Sequence, residues 1–172
     1  EYNGIINLIK SMNLLKDSDV YLDIYGDGYL KNEVIKATKV NEKIRYHGRV
    51  SNEVVMKKQK EAWALINPRI VDDKIAKVTF PSKTFEYLLS GTPVITTPLN
   101  SYEEEYRKCM IFAKDDSPYG LAEAIKKMIS SNENEIDQML DNAKKLIVDK
   151  KLWSKQCEKI LKFLFVEKND ER

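Results

Sequence analysis

Five short apolar runs, at about Val20–Tyr25, Ile44–His47, Ala64–Asn67, Pro93–Thr97 and Met110–Phe112, alternate with stretches of helical period and short connectors. That alternation constrains the fold more than any other feature, because strands separated by a helix pair in parallel and bury both faces. The helical stretches read at about Asn3–Leu15, Tyr29–Thr38, Ser51–Trp63, Ser82–Leu89 and Tyr102–Arg107. From Ser117 onward the strand signal stops and three helices follow, carrying stripes such as Leu121, Ala124, Ile125 and Met128, then Ile136, Met139 and Ala143, then Trp153, Ile160 and Leu164. Stripes at this spacing are core packing rather than a cofactor box. The expected fold is α/β, a doubly wound parallel sheet with helices on both faces and a helical C-terminal end. A chain of 172 residues suits one domain, with 1–150 as its core and 151–172 as a terminal helix and tail.

The segment from Phe80 to Ile95 combines a helix start, an inward carboxylate, a helix stop and a buried strand. Pro81 suits the first helical turn, Thr79 or Ser82 can cap it, and Gly91 with Thr92-Pro93 ends it. Unpaired backbone N–H groups around Ser82 and Lys83 would face outward with the positive end of the helix dipole, and Lys83 adds a full charge where a phosphate can sit. Glu86 lies one turn further in, within reach of a sugar hydroxyl of the same ligand. The plain alternative is an ordinary cap, a surface lysine and a Glu86 that makes a helix pair in water.

Four signals stand in a fixed order over roughly residues 20 to 97: Val20 to Tyr25 ending in Gly26-Asp27-Gly28, Ile44 to His47 ending in Gly48-Arg49-Val50, Trp63 to Asn67 ending in Pro68, and the segment above. In that order they resemble the C-terminal, nucleotide-sugar-binding half of a GT-B glycosyltransferase, of the group 1 (family 4) retaining type that elongates bacterial surface polysaccharides. The resemblance implies a Rossmann-like domain whose donor is a nucleoside-diphosphate sugar and which needs no further cofactor. It implies that Glu86 contacts the ribose, that Ser82, Lys83 and Pro81 line the diphosphate site, and that Gly48, Arg49 and Val50 form the wall recognising the base through backbone groups. Gly26 and Gly28 permit a tight strand-to-helix turn and are candidates to approach the ligand. One departure stands out. The family's first glutamate, eight positions before the second, is Val78 here, so the sugar contact does not carry over, and Thr79 or the backbone beside it is the candidate substitute.

The resemblance also implies partners. A central strand and a basic loop would precede the helix at Asn3–Leu15, and a separate N-terminal domain would hold a glycan or lipid-linked acceptor. The expectation is therefore a C-terminal fragment, inactive alone, with no catalytic residue assignable within it. Two rival readings are a nucleotide-sugar epimerase of the same fold and a non-catalytic nucleotide-binding module.

Lys and Arg number 29 against 27 Asp and Glu, a net charge of +2 that argues against a nucleic-acid binder. Lysine pairs at 57–58, 126–127, 144–145 and 150–151 read as solvated helix faces, with contact to an anionic membrane surface as the weaker reading. No apolar run approaches about 18 residues, so nothing here reads as a membrane span. The expected location is cytoplasmic, with peripheral attachment to the inner face of the membrane as the variant. Cys109 and Cys157 are isolated and far apart, which gives neither a zinc site nor a disulfide framework, and with a helix start and Lys83 to hold the diphosphate no metal ion is expected. His47, the only histidine, reads as structural rather than catalytic, and Arg69 as either a phosphate contact or a partner of Asp72. The polar loop from Val71 to Val78 is a candidate lid or a plain solvent loop.

Overall fold

The computed structural model describes residues 3–72, 74 and 79–166. In chain order these form α1 (Ile5–Asn13), β1 (Leu22–Tyr25), α2 (Lys31–Val40), β2 (Ile44–Gly48), α3 (Asn52–Glu61), β3 (Leu65–Asn67), α4 (Lys83–Leu89), β4 (Val94–Thr96), β5 (Ile111–Phe112), α5 (Pro118–Ser130), α6 (Glu133–Leu146) and α7 (Trp153–Val166). All five strands fall where the apolar runs predict them. The expected helix at Tyr102–Arg107 is instead a 3-10 turn, Glu104–Lys108, too short to settle into α geometry. A π turn, Ile147–Lys151, links α6 to α7.

Local chemistry sets the helix starts. Ser51 accepts from the Val54 N–H to cap α3, and Ser117 accepts from the Gly120 N–H at 3.0 Å to cap α5 ahead of Pro118. Asn132 and Glu135 satisfy each other's backbone N–H groups in a capping box that opens α6.

Every strand pair is parallel, but pairing runs in two ladders, β1–β2 and β3–β4–β5. Among the described residues no ladder joins β1 to β3, although both strands feed one core. Leu22 and Ile24 of β1, Ile44 of β2, Ile66 of β3 and Ile95 of β4 all pack with α1 and α5 in one hydrophobic cluster. Direction is also shared. Gly4, at φ 65, sits so close to the end of β3 that a Cβ there would overlap the Pro68 carbonyl oxygen. α1 thus starts beside the C-terminal end of β3 and runs back to the start of β1, so β1 and β3 point the same way.

A second cluster covers the other face of the sheet. Val94 of β4 packs there with Leu88, Tyr102, Tyr106, Cys109, Ala143, Leu146 and Ile147. Alternation along β4, with Val94 on one face and Ile95 on the other, is what makes the domain doubly wound. Cys109 lies inside this cluster, where burial pushes its thiol up to about 11, so it stays protonated and inert.

The lysine pairs divide. Lys57 and Lys58 pair with Glu61 on the surface of α3, and Lys126 with Glu123 on α5, as solvated helix faces do. Lys150 and Lys151 differ from that expectation: they bind Glu105, at 2.9 and 2.6 Å, and clasp the π turn to the 3-10 turn, with Lys151 also over the Tyr106 ring. On α7, Trp153 is 78% exposed and Leu164 54%, so its apolar side lies uncovered in this chain.

Candidate functional site

α4 is short, so its position depends on tertiary anchors. Its first-turn Thr84, 1% exposed, shares a 2.9 Å hydrogen bond with the Tyr102 hydroxyl. The same hydroxyl accepts from Asn67 Nδ2 at the end of β3 and from Thr96 Oγ1 at the end of β4, each at 3.3 Å. Thr97 donates to the Arg69 carbonyl at 2.7 Å, and Phe80 stacks on Phe85 and packs edge-on to Tyr102. Buried hydroxyls of this kind are stable only when bonded, and here they tie the start of α4 to the C-terminal ends of two strands.

The predicted residues take these places. Pro81 is buried and lies just before the helix rather than in its first turn, with its carbonyl accepting from the Thr84 N–H at 2.9 Å. Ser82 occupies the N-cap position, but its side chain makes no cap hydrogen bond because its backbone is already helical, which corrects the capping expectation for Ser82. Thr79 is half-buried ahead of it. Val78 and the centre of the candidate lid, residues 73 and 75–78, lie outside the described residues.

Glu86 is half-buried and doubly held. Gln59 Nε2, from α3, donates to its Oε1 at 2.5 Å, and Lys83 Nζ donates at 2.9 Å to Oε2 and 3.1 Å to Oε1. Burial alone would push the carboxyl up, but the hydrogen bonds from Gln59 and Lys83, with the lysine charge, outweigh it and hold Glu86 below its ordinary value. It is therefore an anion and an acceptor at neutral pH. The helix pair with Lys83 is the plain alternative realised; the bond from Gln59, 27 positions away, is not part of it.

Gly26 and Gly48 close the ends of β1 and β2. The Gly26 N–H donates to the Gly48 carbonyl at 2.7 Å, and the Tyr46 hydroxyl donates to the Gly26 carbonyl at 2.9 Å. Both glycines have positive φ, 124 and 67, and a Cβ at either would meet nothing within 4 Å, so conformation rather than space calls for glycine. Gly28 is exposed and has no positive φ, so the strand-to-helix turn needs only the first of the two glycines. Exposed Arg49 and half-buried Val50 continue from β2 into α3, whose Gln59 reaches Glu86. Since α4 leaves β3 and returns to β4, its start lies at the same C-terminal edge as Gly26 and Gly48, where open α/β sheets bind ligands.

His47 is engaged by its neighbours on the β1–β2 ladder. Its Nε2 lies 2.5 Å from Asp23 Oδ1 and its ring stacks on Tyr25 at 4.5 Å, beside Arg45 over Tyr21 at 4.1 Å. Among the described residues no group of three or more His, Cys, Asp or Glu could hold a metal ion, and no helix is long and apolar enough to cross a membrane. Sequence reasoning missed Gln59, Thr84 and Tyr102. Each meets its partner across a long sequence separation, and a glutamine on a charged helix carries no local signal of burial.

The sequence model described as glycosyl transferases group 1 matches residues 1–131. Similar solved structures include a glycosyltransferase from Rickettsia africae ESF-5, 16% identical with a TM-score of 0.76, covering 95% of this chain and 44% of that one. Anabaena Alr3699/HepE in complex with UDP is 13% identical with a TM-score of 0.74, covering 96% and 46%. The C-terminal domain of a Francisella tularensis glycosyl transferase group 1 family protein, LpcC, is 16% identical with a TM-score of 0.68, covering 87% and 80%. The chain thus spans less than half the length of the first two. No curated protein matches the sequence.

Proposed function

This chain belongs to the group 1 glycosyl transferases, and from that premise we propose that it is the donor-binding half of a retaining enzyme that moves a sugar from a nucleoside diphosphate to a glycan or lipid-linked acceptor in surface polysaccharide synthesis. The observation that carries the reading is the anionic Glu86 beside Lys83 on the first turns of α4, at the sheet edge where Gly26 and Gly48 open their loops. Glu86 accepts from the ribose hydroxyls, and the backbone of Gly48, Arg49 and Val50 faces the base. Lys83, exposed and flexible, exchanges Glu86 for the diphosphate, joined by the N–H groups around Ser82. Pro81 and Thr79 border that pocket.

The chemistry asked of these groups is electrostatic. The bond from the anomeric carbon to the phosphate oxygen breaks, its electron pair leaves with the diphosphate, and the acceptor oxygen bonds the same carbon as its proton passes to an oxygen of the leaving diphosphate. Once on the diphosphate, Lys83 and the N–H donors stabilise the growing charge without further reorganisation. No metal or further cofactor is assigned, and the group that acts on the acceptor belongs to a preceding domain.

Two features support a larger protein. β1 and β3 share a core and a direction without a ladder between them, the arrangement expected if one more parallel strand belongs there. Trp153, Leu164 and Phe165 of α7 offer an uncovered surface to the preceding domain. The full enzyme works in the cytoplasm, with peripheral attachment to the membrane when its acceptor is lipid-linked.

A panel of nucleoside diphosphates and their sugar conjugates, screened by thermal shift and by sugar transfer with the intact protein, tests the reading. A ligand that binds only the folded state raises the melting temperature. At least one diphosphate should do so and its conjugate should be consumed, whereas residues 1–172 alone should bind without transfer. Absence of stabilisation by every member of the panel overturns the proposal.

A further inference from the structure

We propose that Gln59 is the positioning residue for the Glu86 carboxylate, holding one oxygen from the buried side so that the other stays on the exposed side to accept from a vicinal diol. The inference rests on Glu86 being the ribose contact. Gln59 is only 7% exposed and is the one buried residue of α3, a helix whose Val54 and Met56 lie in the open. A buried amide is costly unless bonded, so a lone glutamine turned inward from such a helix has a partner to serve. That partner is Glu86 Oε1, at 2.5 Å. Oε2 is held by Lys83 alone, which also reaches Oε1 at 3.1 Å; the lysine side chain is 56% exposed and free to depart when a ligand arrives.

Backbone and side chain of Gln59 act together. Its carbonyl accepts from the hydroxyl of Thr92, 3% exposed, at 2.7 Å, which pins the last turn of α3 beside the approach to β4. The amide is thereby presented from a fixed backbone. An amide suits this task better than a cation would: it donates to Glu86 without cancelling the charge, so the carboxylate remains a strong acceptor for hydroxyl donors. Rotation of the carboxyl group is restricted by one bond on its buried side, which is pre-organisation of a binding group.

The test compares two probes on the intact protein: UDP, and a UDP analogue lacking both ribose hydroxyls. Wild type should prefer UDP, and Glu86→Gln should lose that preference. Gln59→Met keeps the side-chain volume and the Thr92 bond, and should cut UDP affinity about tenfold while leaving the analogue unchanged, the loss of one charge-assisted hydrogen bond. Gln59→Glu supplies a readout that packing alone would not move. Its introduced carboxylate repels Glu86 at pH 8 and, once protonated, donates to it, so the UDP-to-analogue ratio should climb as pH falls towards 5; using the ratio cancels the titration of the diphosphate itself. If Glu86→Gln abolishes the preference while both Gln59 variants retain it at every pH, the positioning role is overturned and the ribose contact stands. If Gln59→Met weakens both probes equally, the residue is merely structural. A wild type without preference for UDP overturns the ribose contact and the positioning role with it.

Discussion

β4 and β1 are parallel strands of similar length in one domain, and they live in different surroundings. Val94, Ile95 and Thr96 of β4 are all buried, since β4 is the middle of its ladder and is covered by helices on both faces. No residue of β1 is buried: among the described residues it pairs only with β2, and its Asp23 and Tyr25 lie on a face shared with Arg45 and His47. The strand sequences anticipate this. Val-Ile-Thr is apolar or small on both faces, whereas Leu-Asp-Ile-Tyr alternates, so one strand can be enclosed and the other needs water on one side. Burial in this fold follows the number of neighbours a strand has, and the anchors of α4 cluster at the enclosed strand.

The sharpest test of that contrast uses the same substitution in both strands. Ile95, 2% exposed, and half-buried Ile24 touch the same cluster. Ile95→Ala should cost about 3–5 kcal/mol in denaturant unfolding and Ile24→Ala about 1–2. Equal losses would mean that the two ladders are equally packed.

Next in size is Tyr102→Phe, which keeps the ring and deletes the hydroxyl that serves Thr84, Asn67 and Thr96. Leaving those groups unmatched should cost roughly 1–3 kcal/mol. Because the loss falls at the start of α4, diphosphate affinity should fall with it; thermal melts and calorimetry read the two effects separately.

A smaller effect belongs to the clasp. Hydrogen bonds from Lys150 and Lys151 hold the Glu105 carboxyl at about 2 instead of its ordinary 4.5. A depressed carboxylate stabilises the folded state above its unfolded pKa, and that contribution is lost as pH falls from about 4.5 towards about 2. Glu105→Gln should flatten this acid limb and lower stability near neutrality by on the order of 1 kcal/mol after solvent screening is discounted. A titration of the melting temperature from pH 7 to 2 checks it. Smallest of all, Met56→Ser on the exposed side of α3 should change stability by no more than about 0.5 kcal/mol.

How far the chain could be read in advance depends on the range of the interaction. Periodicity and caps are local, so Ser51, Ser117 and Asn132 announce their helices, and the apolar runs announce all five strands. The division into two ladders is not local: it turns on how β1 and β3 meet, which no segment's own pattern encodes. The same holds at the site. Glu86 and Lys83 sit three residues apart and could be singled out together, whereas Gln59 and Tyr102 are brought to α4 only by the folded sheet. Lys150 and Lys151 looked like a solvated pair because Glu105 lies more than forty residues away, as the separation of 45 for its bond to Lys150 records.

The two ladders also set how the molecule can come apart. Each closes over single helices, α2 within the first and α4 within the second, so every strand finds its partner at short range. What buckles the ladders together is α1, at the start of the described chain, against α5, which follows β5, both seated on the shared cluster. Loosening that buckle uncovers the smaller ladder while the hydrogen bonds of the larger one hold. Amide exchange along β1 and β2 should then proceed through a partial opening in which β3, β4 and β5 stay closed, and the seam between the ladders becomes the line along which the domain breathes.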